Sequence, residues 1–167
     1  MFTSIFLLCF IIFLVVVKTN KPRILILHSY ALDFVWVREI NEGLNIVLEG
    51  KPYSLKYHYM DTKRNPELDF IERAGIRVRS LIESWKPDII LAIDDNAQEF
   101  VGKYYVNEPS TVVVFAGVNG FPEDYGYEDA LNVTGILERI PFESFKEVFL
   151  KILPPDHKRI IHLSDAS

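Results

Sequence analysis

Ile24–Tyr30 reads ILILHSY, Asp88–Asn96 reads DIILAIDDN, and Thr111–Asn119 reads TVVVFAGVN. Each carries an unbroken apolar run that ends abruptly in polar residues. A strand with one wet face alternates apolar and polar side chains, whereas a strand covered on both faces does not. The three runs therefore read as central strands of a parallel sheet with helices on its faces. Working outward, Val37, Ile40, Leu44, Val47 and Leu48 recur at helical spacing, and Gly50-Lys51-Pro52 stops that helix. Tyr53–Met60 (YSLKYHYM) alternates and reads as a strand nearer an edge. Leu68, Ile71, Gly75, Val78, Leu81, Ile82 and Trp85 mark a long amphipathic helix, with Pro66 suited to its start. Ala97, Phe100, Val101 and Tyr104 mark a short one. Asn132–Leu137 (NVTGIL) reads as a fifth strand. Phe142, Phe145, Val148, Phe149 and Ile152 form a helix between Pro141 and Pro154-Pro155, and Arg159–Leu163 (RIIHL) starts one more strand. Strands alternating with helices make an α/β fold, a parallel-sheet three-layer sandwich with right-handed crossovers.

The chain has 167 residues, of which 49% are hydrophobic and 13% aromatic, which excludes a disordered tail, a collagen-like chain and a disulfide-stapled mini-protein. Lys18, Lys21 and Arg23 are the only charged residues among the first 23, so Ile24 onward carries the other 15 cations and all 23 acids, a formal net charge of −8. An acidic body argues against a nucleic-acid partner. Ile5–Val17 (IFLLCFIIFLVVV) is an apolar run of 13 residues. A membrane span needs roughly 17–25 residues, and a signal-peptide core about 7–15. No side-chain cation precedes the run, and its exit, VVVKTNKPR, offers no small-x-small cleavage site. Residues 1–22 are thus expected to be a signal peptide or a retained membrane anchor. Lys18, Lys21 and Arg23 would favour a cytoplasmic exit side, against an extracytoplasmic body. The single cysteine, Cys9, sits inside the run, so no disulfide framework is available.

In open α/β sheets ligands bind beyond the carboxyl ends of the strands. Here those ends run into His28-Ser29-Tyr30, Asp61-Thr62-Lys63-Arg64, Asp94-Asp95-Asn96, Gly117-Val118-Asn119 and Glu138-Arg139. Each has a plain structural reading as well. Asp95 or Asn96 would cap the following helix. Gly117 would serve a turn. Asp61 would pair with Lys63 or Arg64 on a wet surface. Asn132-Val133-Thr134 fits a glycosylation pattern and equally a strand start. No nucleophile elbow, phosphate-binding glycine loop or dinucleotide fingerprint is present. His28, His58, His157 and His162 lack metal-ligand spacing. No catalytic, metal or cofactor site is therefore expected. Polar groups beside Tyr30, Phe34 and Trp36 suit reversible binding of a small polar or amphipathic molecule.

Taken together, ILILHSY and the following Trp36, YMDTKR after the second strand, DDNA after the third, VVFAGVN at the fourth and VTGILE at the fifth resemble a family. They are similar to substrate-binding proteins of ABC transporters with the periplasmic-binding-protein type I fold, from about Arg23 to the end. The same module is similar to extracytoplasmic sensor domains of bacterial receptors, including histidine kinases. The resemblance implies a two-lobed, non-enzymatic protein whose lobes, with flavodoxin-like strand order, close on a ligand. Residues 23–157 would be the amino-terminal lobe and 158–167 the first strand of a second lobe that this chain lacks. His28, Ser29, Tyr30, Trp36, Asp61, Asp94, Asp95, Asn96, Gly117 and Asn119 would line its side of the cleft. Tyr30 or Trp36 would stack on a ring, Asp94 or Asp95 would hold an amino group, and Asn96 and Asn119 would fix a polar edge. Implied partners are a small-molecule ligand and a membrane permease or signalling domain. A different class, a small flavodoxin-like enzyme or phosphoacceptor built on Asp94 and Asp95, is the remaining alternative, and the apolar leader speaks against it.

Overall fold

The computed structural model describes residues 5–7, 9–10, 21–139 and 141–153. The strand expected at Arg159–Leu163, most of the Ile5–Val17 run and Pro154-Pro155 lie outside the described residues. The chain divides into two compact units, Met1–Leu137 and Glu138–Ser167.

The first unit holds five strands: β1 (Arg23–His28), β2 (Ser54–Tyr59), β3 (Ile89–Ile93), β4 (Val112–Val118) and β5 (Val133–Leu137). All pair in parallel, in the order β2-β1-β3-β4-β5. This is the flavodoxin-like order, with its switch point between β1 and β3. Helices α1 (Val35–Leu48), α2 (Leu68–Trp85) and α3 (Asp95–Phe100) connect the strands, and 3₁₀ turns follow at Gly102–Tyr105 and Pro122–Tyr125. The second unit contains α4 (Phe142–Ile152), on which Phe142, Phe145, Val148, Phe149 and Ile152 share one helical face by their spacing. Among the described residues no helix is long and apolar enough to cross a membrane.

The apolar runs become strands because helices bury one face of the sheet and part of the other. Leu25 and Leu27 of β1 and Ile90 and Ala92 of β3 are fully buried against Ala74, Val78 and Ile82 of α2 and Ala97 of α3. With Ile71, those α2 positions recur at three- and four-residue intervals, as a helix lying on a sheet requires. A second cluster joins Val113, Phe115 and Val118 of β4 to Tyr125 and Tyr127. Each fully buried Leu, Ile or Val side chain contributes about 1.5–3 kcal/mol.

Two details differ from the reading of the sequence. The helix expected across Ala97–Tyr104 is α3 followed by a 3₁₀ turn, broken at Val101 (φ −136°, ψ −62°). Val47, placed on the core-facing stripe of α1, is 63% exposed, because Val37 is the only α1 residue fully buried. Helical spacing names a face; it does not say how much of that face the sheet covers.

Candidate functional site

Register places the polar strand ends side by side. His28 of β1 pairs with Tyr59 of β2 and with Ile93 of β3, and Ile93 pairs with Ala116 of β4. The residues one step further, Ser29, Met60, Asp94 and Gly117, therefore line one sheet edge at strand spacings of about 4.8 Å. Ser29 and Asp94 flank the switch point itself.

Ser29 is buried, and its hydroxyl bridges two backbone groups. It donates to the Ile93 carbonyl (3.0 Å) and accepts the Ala97 N–H (2.9 Å). Ser29 thus satisfies an amide of the first turn of α3, the role expected of Asp95 or Asn96. That cap comes from the end of a neighbouring strand, 68 residues away in the chain. The Ser29 carbonyl accepts the Thr62 hydroxyl (2.9 Å), and Thr62 Oγ1 accepts from Asn96 Nδ2 (3.0 Å). The loops after β1, β2 and β3 are locked to one another by this chain of bonds.

Asp94 is the anomaly of the site. Its φ of 75° and ψ of 163° lie in a region that is essentially glycine's alone. The conformation is held from both sides: its N–H donates to the Ala116 carbonyl (2.9 Å), and its own carbonyl accepts from Gln98 Nε2 (3.0 Å). The side chain is buried. Burial, with the neighbouring Asp95 charge adding to it, pushes its carboxyl above the usual range, opposed by a hydrogen bond from Tyr30. A charged-type side chain is thus kept, buried, on a strained backbone at the switch point.

Asp95 points elsewhere. Its carboxylate accepts the Asn119 N–H (3.1 Å), the Gly120 N–H (2.8 Å) and the Tyr125 hydroxyl (2.7 Å). It shapes the loop after β4. Burial and the Asp95 contact push the Tyr125 phenol well up. Gly117, with φ of 62°, sits where the β4–β5 register shifts, so its left-handed backbone belongs to a bulge that aims Val118 and Asn119. Asn119 is exposed at the rim.

Aromatic groups crowd the other side. The Tyr30 ring meets Phe34 edge-on at 5.3 Å and Trp36 at 5.8 Å. Lys63 Nζ lies 5.2 Å from the centres of both Tyr30 and Phe34. Arg64 pairs with Asp33 and lies 3.9 Å from Asp61 Oδ1. That Asp61 oxygen is buried without a hydrogen bond, while Asn65 Nδ2 reaches Oδ2 (3.3 Å). Asp61 itself has φ of 57°, a left-handed turn conformation that Asp tolerates.

His28 stands apart from this group. Its ring is fully buried, stacks on Tyr59 at 5.3 Å, and its Nε2 lies 2.9 Å from Asn41 Oδ1. Oδ1 is an acceptor only, so Nε2 carries the proton and Nδ1 is bare; it has no hydrogen-bond partner among the described residues. Burial lowers its pKa. The sequon residue Asn132 is also spent: its Nδ2 reaches the carbonyls of Tyr105, Glu108 and Thr111.

The structure therefore brings Ser29, Tyr30, Trp36, Asp61, Asp94, Asp95, Asn96, Gly117 and Asn119 to one edge and turns His28 toward α1. Reading the sequence missed Gln98 and Tyr125, which hold Asp94 and Asp95 in place. A lone Gln on a short helix and a Tyr in a loop carry no spacing signal. Among the described residues no group of three or more His, Cys, Asp or Glu is placed to hold a metal ion.

No family model and no curated protein matches this chain. Solved structures share the fold, among them the following two. One is the ligand-free, open structure of CD0873 from Clostridium difficile, a substrate binding protein with adhesive properties. It is 17% identical, with a TM-score of 0.58 over 81% of this chain and 44% of its own. The other is a conserved domain protein from Vibrio cholerae, 19% identical, with a TM-score of 0.59 over 81% of this chain and 45% of its own. The chain thus spans less than half the length of either.

Proposed function

We propose that this lobe binds a small polar or amphipathic molecule reversibly at the carboxyl edge of its sheet and performs no chemistry on it. The lobe would be one half of an extracytoplasmic solute-binding protein serving an ABC-type uptake system. The observation that carries the reading is Asp94. Backbone strain of this kind costs on the order of 1–3 kcal/mol and persists where the surroundings over-determine it, most often at functional sites. The likeness to a substrate binding protein supports the same reading. So does its span of under half of that chain, as expected if residues 23–157 are one lobe and 158–167 lead into another.

In this reading Asp94, Asn96 and Asn119 supply polar contacts, and Tyr30 and Trp36 supply an apolar wall. Ser29, Asp95 and Gly117 set the loops that carry them. Residues 1–22 act as a signal peptide or anchor. A receptor sensor domain is the second reading, favoured by the missing cleavage site in VVVKTNKPR. Mass spectrometry of the mature amino terminus separates the two, a cleaved leader supporting transport and a retained one sensing.

The test of binding is a thermal-shift screen of the full chain against L-amino acids, common sugars and nucleobases. The expected result is a reproducible stabilisation by one chemical class, abolished in a folded Asp94→Asn variant, with the compound recovered unchanged. Conversion of the compound, or an undiminished shift in Asp94→Asn, would overturn the proposal.

A further inference from the structure

A backbone conformation that is essentially glycine's alone has to be held, and part of the hold on Asp94 lies behind the sheet edge. The N–H bond to the Ala116 carbonyl pins φ, and the bond from Gln98 to the Asp94 carbonyl pins ψ. Gln98 is fully buried on α3. Its Nε2 donates to two carbonyls, those of Ala92 (2.9 Å) and Asp94 (3.0 Å). Its Oε1 accepts the hydroxyl of Tyr127 (2.9 Å). An amide turned over would set Oε1 against both carbonyl oxygens, so one orientation is fixed.

Tyr127 reaches Gln98 from the segment between β4 and β5, 29 residues away in the chain. Its ring is 5% exposed, stacks on Phe115 of β4 at 5.6 Å and meets Tyr125 at 5.5 Å. The hydroxyl is therefore a fixed point against which the Gln98 amide is set. Two residues earlier in the same segment, Tyr125 donates to Asp95 Oδ1 (2.7 Å). Asp95 and Gln98 lie three apart on α3 and share a helical face, so one short segment grips that face twice. Each hydroxyl fills room that a glycine leaves. A Cβ on Gly102 would run into the Tyr127 hydroxyl, and one on Gly120 into the Tyr125 hydroxyl.

We propose that Gln98 and Tyr127 are positioning residues of the carboxyl-edge site. Neither touches the ligand. Tyr127 sets the Gln98 amide, Gln98 holds the Asp94 carbonyl, and that bond keeps Asp94 in the conformation that presents its side chain. This rests on the reading of Asp94 as a ligand contact. A contact group ordered before binding has less freedom to lose on binding, so loosening the pair weakens the ligand while every contact residue stays in the chain.

The test has two readouts on the full chain, and the first needs no ligand. Glycine adopts the Asp94 conformation without strain and alanine does not, so Asp94→Gly should melt above Asp94→Ala. Gln98→Met keeps the bulk and removes both donated bonds. In that background the ranking should reverse, because a relaxed position favours alanine. Tyr127→Phe keeps the ring and its stack, and should narrow the gap. A pair that only stabilised the fold would lower both Asp94 variants alike and leave their ranking and gap unchanged. The second readout is the dose dependence of the thermal shift produced by a pool of L-amino acids, sugars and nucleobases. Tyr127→Phe should move its midpoint about fivefold to higher concentration, the worth of one buried hydrogen bond. Gln98→Met should move it further. An unreversed ranking in Gln98→Met, an unchanged gap in Tyr127→Phe or an unmoved midpoint in either would overturn the proposal. A wild-type chain that the pool does not stabilise would count against the ligand site alone, and the ranking would still decide whether Gln98 and Tyr127 hold Asp94.

Discussion

Replacing Asp94 by alanine and by glycine should reverse the usual ranking of those residues. At an ordinary strand or helix position glycine is the less stable of the two by about 0.5–1 kcal/mol, because the unfolded chain has more freedom to lose. At φ 75° and ψ 163° an alanine keeps the backbone strain and a glycine does not. Both variants lose the carboxylate and its Tyr30 hydrogen bond, so that loss cancels between them. Strain near the middle of the roughly 1–3 kcal/mol range, less the glycine entropy, leaves Asp94→Gly more stable than Asp94→Ala by about 1 kcal/mol. For a chain of this size that is a Tm difference of roughly 2–4 °C. Urea and thermal unfolding followed by far-ultraviolet circular dichroism measure it. Asp94→Asn adds a control on charge. The native carboxyl titrates above its ordinary value of 3.8, so the native state takes up its proton first. Wild-type stability from this group therefore rises as pH falls through that raised value toward 3.8, and the advantage of Asp94→Asn at neutral pH should fade over the same window. If Asp94→Ala proves as stable as Asp94→Gly, the position is unstrained and Asp94 no longer marks a ligand site.

Three further outcomes follow from other contacts. Asp95→Ala removes the acceptor for two amides and the Tyr125 hydroxyl, and should cost about 2–3 kcal/mol. Hydrogen exchange at Asn119–Tyr125 should rise far more than in the rest of the sheet; a uniform change would contradict the loop-anchoring role. His28 is held below its ordinary 6.5 by burial, and His58 by burial and then Arg77, so the unfolded state binds more protons just below that pH. Stability should therefore fall as pH drops below about 6.5, and His28→Phe, which keeps the stack on Tyr59, should flatten part of that limb. An unchanged limb would show that His28 is not its source. Gly75→Ala would place a Cβ 2.7 Å from the Phe100 carbonyl where α2 crosses α3, and should cost about 1–3 kcal/mol in unfolding midpoint. A neutral effect would mean the two helices separate freely.

The strands were legible because burial on both faces leaves a compositional mark. Leu25, Leu27, Ile90 and Ala92 lie against α2 and α3, while Ile26 and Ile93 between them are buried on the opposite face, where His28 meets Asn41 of α1. The carboxyl edge was legible for a related reason, since polar residues follow the last buried position of each strand. Individual roles there were not. Asp94, Asp95 and Asn96 look interchangeable in a row, yet one is strained and buried, one braces the loop after β4, and one bonds Thr62. The roles of Asp95 and Asn96 depend on partners between 24 and 34 residues away, and Ser29 caps α3 from 68 residues away. Pairings at such separations leave no period in the chain. His28 shows the converse: its place at a strand end suggested the rim, but strand alternation turned it to the α1 side, where Asn41 and Tyr59 enclose it.

A ligand held at the carboxyl edge of the sheet must shield the loops that line it. Hydrogen exchange of the full chain, with and without a pool of L-amino acids, sugars and nucleobases, reads that shielding loop by loop. Slowed exchange is expected in three separate peptides only, around Ser29–Ala31, Asp94–Gln98 and Gly117–Phe121, with that protection lost in Asp94→Asn. Protection elsewhere on the sheet, or none in these three peptides while the pool raises thermal stability, would contradict a ligand site at that edge.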